Sequence, residues 1–159
     1  MSTENTTVTL TRQSGYRFLV DFGARLPQLL ADEPAPLGEG SGPAPNHLLL
    51  AAVANCLGAS LLFALQKFKQ DPGELKATAV AELGRNEARR LRLQGIRVQL
   101  ELGRPAADLE HLDRVLSQFE DFCTVSMSVR QGIDIRVTVH PLLSKTGERS
   151  LRGCCLTRV

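Results

Sequence analysis

Two cysteines in unlike settings carry most of the chemistry this chain offers. Cys56 lies inside the apolar run LLLAAVANCLGASLLFAL, residues 48–65, and Cys123 follows 67 positions later in DFCTVSMSVRQGIDI. A thiol acts as a nucleophile through its thiolate, which a nearby cation or a helix N-terminus favours. Cys56 falls in mid-helix, so its cation has to come from another part of the fold. Arg17, on the opposite face from Tyr16, Phe18 and Val20, is the first candidate, and Arg12 the second. Cys123 falls at a helix start, where backbone N–H groups favour the thiolate. Each residue also has a plain reading. Cys56 serves as a small buried hydrophobe, Cys123 continues the Phe119/Phe122 stripe, and the arginines are surface charges of a hairpin.

The remaining candidates lead less far. Cys154 and Cys155 are a vicinal pair without a CxxC or His-rich companion, so a zinc site is not supported. His47, His111 and His140 are scattered, and no Ser/His/Asp order, HExxH or phosphate-cradling glycine motif is present. No metal or cofactor is expected. Net charge is +2, and the one basic cluster, Arg85, Arg89, Arg90 and Arg92, reads as a hairpin tip. With one Tyr and no Trp there is little for bases to stack on, so nucleic acid is not an expected partner. Four cysteines without a leader in MSTENTTVTL fit a reducing compartment, and a cytoplasmic location is expected.

These side chains need elements to position them. The length of 159 residues fits a single domain, 1–159, with an irregular tail over 144–159. Residues 8–22 alternate on either side of Ser14-Gly15 and predict a hairpin; Leu26 to Ala31 is a weaker strand. The Pro- and Gly-rich stretch 32–45 is a loop, and Pro45 suits the first turn of a helix running to about Lys69. That helix contains 18 almost wholly apolar residues, the lower bound for a membrane span. The one-faced strands around it need a cover, which predicts a buried core helix and no membrane. Strands over 75–83 and 96–102, an amphipathic helix over 106–119, a short helix from Cys123 to Arg130 and a strand from Ile133 to Val139 complete the order. Strands and helices do not strictly alternate, so the fold class is α+β.

The segments GSGPAPNHLLLAAVANC and FCTVSMSVRQGIDIRVTV, in this order and at this separation, resemble the OsmC/Ohr family of thiol-dependent hydroperoxide reductases, its OsmC-like branch. The resemblance spans the chain to about residue 142. It implies antiparallel sheets wrapped around a central cysteine-bearing helix in an intertwined homodimer. It further implies Cys56 as the thiol that attacks an organic hydroperoxide, Cys123 as the thiol that resolves the sulfenic acid into a disulfide, and Arg17 as the active-site arginine. An external dithiol would then restore the enzyme. Where family members carry a glutamate ten residues before the first cysteine, this chain has Asn46, which lacks the charge for a bidentate pair with a guanidinium. The alternative is a protein of the same fold that binds a small apolar ligand or senses oxidants without turning them over.

Overall fold

The computed structural model describes residues 4–23 and 25–140. Strands β1 (Thr9–Ser14) and β2 (Arg17–Asp21) form a hairpin whose turn Gly15 closes at a φ of +51°. β3 (Leu29–Ala31) pairs antiparallel with β2 and completes a sheet of order β1-β2-β3. Val20 and Ala31 are buried, whereas Tyr16 is half exposed. The loop that follows delivers the chain to α1 (Pro45–Lys67). Pro45 opens this helix, and the backbone N–H of Ala44 donates to Nδ1 of His47 at 3.1 Å, so His47 caps the start.

α1 packs on β4 (Leu75–Arg85), which pairs antiparallel with β5 (Leu91–Leu102). A Cβ added to Gly58 would lie 3.3 Å from Leu75 Cδ2, so a glycine in mid-helix allows this close approach. Arg85, Arg89, Arg90 and Arg92 lie exposed around the β4–β5 turn. The core is a stripe of α1, Val53, Leu57, Leu61, Ala64 and Leu65, closed by Val115, Phe119 and Cys123. Fully burying a Leu or Val side chain contributes about 1.5–3 kcal/mol, so this cluster is the main force holding the helical segment to α1.

Three expectations need correction. The helix predicted over 106–119 is broken. A 3₁₀ turn at Ala106–Asp108, a short α2 (Leu112–Leu116) and a second 3₁₀ turn at Phe119–Phe122 replace it. His111 takes a left-handed φ of 61°, and this interrupts the helix while Leu109, Val115 and Phe119 still reach the core. The strand expected from Ile133 to Val139 does not form. Alternation makes a strand only with a neighbouring strand and something to cover its apolar face, and Ile133, Ile135, Val137 and Val139 all stand exposed in this chain. α1, finally, is buried along one face rather than all round. It is long and apolar enough to cross a membrane by length and composition, and Leu62 and Phe63 on its other side are exposed. The tail over 144–159, with Cys154 and Cys155, lies outside the described residues.

Candidate active site

Helix α3 (Thr124–Gln131) brings the two cysteines together. Cys123 is its N-cap, and the backbone N–H of Ser126 donates to Cys123 Sγ at 3.4 Å. The first amides of a helix have no partner within it, and their dipoles favour negative charge. Here they are shared between two sulfurs: those of Thr124 and Val125 act on Cys56, and that of Ser126 on Cys123. The start of α3 is held against α1 by Phe122. Its ring meets Phe63 edge-on at 6.5 Å, and Lys67 Nζ lies 4.5 Å from the Phe122 centroid.

Both cysteines are free thiols, Cys123 fully buried and Cys56 partly exposed. Cys56 packs against the core cluster that contains Cys123, and each thiol influences the ionisation of the other. Burial pushes the Cys56 thiol up, and the neighbouring Cys123 sulfur adds to that rise against the pull of the two amides. Burial acts on Cys123 in the same direction. The Cys56 thiol, the Ser126 hydroxyl and amide, and the Ser60 hydroxyl, all facing the sulfur, outweigh it and lower the Cys123 pKa. Ser126 Oγ is buried near the Cys123 sulfur without making a hydrogen bond of normal geometry. The more acidic sulfur of the two is thus the buried one.

This polarity makes a specific expectation. Cys123→Ser keeps a capping oxygen but removes the neighbouring charge, so Cys56 should ionise at lower pH than in the wild type. Alkylation of Cys56 by iodoacetamide as a function of pH measures this, and an unchanged or higher midpoint would contradict the coupling.

The structure does not bring Arg17 to the sulfurs. Its Nε and Nη2 donate to Ser14 Oγ at 3.0 and 2.5 Å, and Nη1 pairs with Glu39 Oε2 at 3.2 Å. Arg12 donates from Nε to the carbonyl of Gly15 at 2.9 Å. No arginine is among the leading groups that set the titration of either thiol. Asn46 is half-buried in the first turn of α1. Among the described residues, no cluster of three or more His, Cys, Asp or Glu side chains is placed to hold a metal. A cavity of about 460 Å³ between α1 and β5 is walled by Val53, Leu57, Ile96 and Ser126 and by the Arg130–Glu120 ion pair, and neither Cys56 nor Cys123 lines it. Ser60 and Ser126 went unnoticed in the sequence. The signal for each is positional: Ser60 follows Cys56 by one helical turn, and Ser126 is the third residue after a capping cysteine.

Residues 38–138 match the family model described as OsmC-like protein. The chain belongs to the OsmC-like family. No curated protein matches it in sequence. Solved structures of the OsmC-like fold match it in structure. An OsmC-like protein of unknown function from Vibrio cholerae is 17% identical with a TM-score of 0.64, the match covering 79% of this chain and 94% of that one. An organic hydroperoxide resistance protein OsmC from Legionella pneumophila is 18% identical with a TM-score of 0.63, covering 82% and 92%. The organic hydroperoxide resistance protein OhrB of Bacillus subtilis is 16% identical with a TM-score of 0.58, covering 78% and 90%. At these identities the likeness concerns the fold: α+β, with antiparallel sheets and helices arranged as in OsmC-like structures.

Proposed function

We propose that this protein is a thiol-dependent peroxidase that reduces organic hydroperoxides. The observation that carries the reading is the packing of two free thiols, one partly exposed and one buried with a lowered pKa, at a single helix N-terminus. Cys56 attacks the distal oxygen of the hydroperoxide as its proton passes by way of the Cys123 thiolate. The O–O bond breaks, the alkoxide takes up that proton to leave as an alcohol, and Cys56 becomes a sulfenic acid. Arg17, which the family resemblance implies as the active-site arginine, is assigned to the charge that develops on the departing oxygen rather than to the resting thiol. The Cys123 thiolate then attacks the Cys56 sulfur, the S–S bond forms, and hydroxide leaves to be protonated to water. An external dithiol reduces the disulfide by exchange and is itself oxidised. A lowered pKa on the buried partner serves this order, because it favours the thiolate of the resolving sulfur.

A homodimer in the cytoplasm belongs to the same proposal, and the uncovered apolar face of α1 with the exposed Ile133–Val139 segment supports a partner copy. The cavity favours the second reading, a module that binds an apolar ligand. Turnover separates the two. The peroxidase consumes many equivalents of cumene hydroperoxide with dithiothreitol present; a binder or stoichiometric sensor consumes at most about one per protein.

A further inference from the structure

Arg17 is held by a device that Asn46 has no part in. Asp32 is a buried carboxylate, 2% exposed, in the loop after β3. Its Oδ2 accepts from the backbone N–H groups of Glu39 and Ser41, both at 3.0 Å, and from the Ser41 hydroxyl at 2.9 Å. Its Oδ1 accepts from the Glu33 N–H at 2.8 Å. One side chain therefore ties together a loop that has no regular structure of its own. Gly38 is part of the same design, since a Cβ there would lie 2.1 Å from the Glu33 carbonyl oxygen and 2.4 Å from Asp32 Oδ1. The amide anchored by Asp32 belongs to Glu39, whose carboxylate is the one that pairs with Arg17. Ser14 takes the other edge of the guanidinium, so the fork is restrained from both sides.

A carboxylate fixes a guanidinium through charge-assisted hydrogen bonds, which an amide cannot supply. An ordinary exposed ion pair contributes little, because both side chains must be ordered to make it. Glu39 differs from that case in one respect: its backbone is already fixed by a buried group. We propose that Glu39 is the positioning residue for Arg17 in this chain, carried by the loop that Asp32 ties together. The inference rests on the reading of Arg17 as the cation of the peroxidase reaction. It places the orienting carboxylate on the loop before α1 rather than on the helix itself.

The test is a double-mutant cycle on kcat/KM for cumene hydroperoxide, with Arg17→Ala, Glu39→Gln and the double variant, each checked for an unchanged Tm. Arg17→Ala should lower kcat/KM, Glu39→Gln should lower it about fivefold, and Glu39→Gln should have no further effect once Arg17 is absent. A loop that matters only for folding would show the same Glu39→Gln loss in both backgrounds, and that result overturns the proposal. Wild-type kcat/KM in Glu39→Gln alongside a slow Arg17→Ala overturns it too, while leaving the role of Arg17 standing. Wild-type kcat/KM in Arg17→Ala overturns the role of Arg17 and this inference together.

Discussion

Cys56→Ser should reduce dithiol-supported consumption of cumene hydroperoxide to the uncatalysed background, with the fold intact. A serine hydroxyl does not take an oxygen from a peroxide as a thiolate does, so the sulfenic acid has no site to form on. Cys123 cannot stand in for it. That sulfur is 0% exposed and is enclosed by α1 and the start of α3, so a bulky peroxide does not reach it. Removing Cys56 also removes a group that lowers the Cys123 pKa, which makes the remaining thiol less reactive. Cys123→Ser should behave differently: Cys56 is still oxidised once, and recovery then depends on direct reduction of its sulfenic acid by the external thiol. Equal residual activity in the two variants would contradict the division of roles between attacking and resolving sulfur.

Leu65→Ala is the substitution expected to cost the most stability. Leu65 is 0% exposed near the C-terminal end of α1, in the cluster that also holds Val115, Phe119 and Cys123. Truncating a leucine there loses its transfer free energy and leaves a cavity, together about 2–5 kcal/mol. The cluster also seats the α3 N-terminus against α1, so the loss should reach the thiols. Urea unfolding measures the first effect, as a lower midpoint at unchanged slope. Cys56 alkylation at fixed pH measures the second, as a changed rate in the folded variant. A Leu65→Ala protein within about 1 kcal/mol of the wild type would show that this cluster is not the one holding the helices together.

The sequence was most informative where one residue type decides the local backbone. Pro45 marked the start of α1, Ser14-Gly15 the first hairpin turn, and Cys123 the start of α3, and the structure has all three. Periodicity served less well where two structures satisfy it equally. Leu109, Val115 and Phe119 form a helical stripe on paper, but three short turns bury the same residues once His111 adopts a left-handed backbone. The alternation from Ile133 to Val139 states what a strand would bury and not what would cover it. The Asp32 loop left no periodic signal at all. Its order comes from hydrogen bonds reaching up to nine residues along the chain, and the visible hint is only an aspartate ahead of closely spaced glycines. Arg17 stands out by its place in the hairpin, while its partner Glu39, 22 positions away, comes from that loop.

The central claim is that Cys56 and Cys123 form one redox site, and a disulfide map tests it most directly. Fully reduced protein is treated with one equivalent of cumene hydroperoxide, digested without reductant and examined by mass spectrometry. The account predicts a single new species, the peptide of Cys56 joined to that of Cys123, which dithiothreitol removes and which Cys56→Ser never forms. Recovery of both cysteines as unmodified thiols after excess peroxide, or Cys56 oxidised to the sulfonic acid beside a free Cys123, would contradict it.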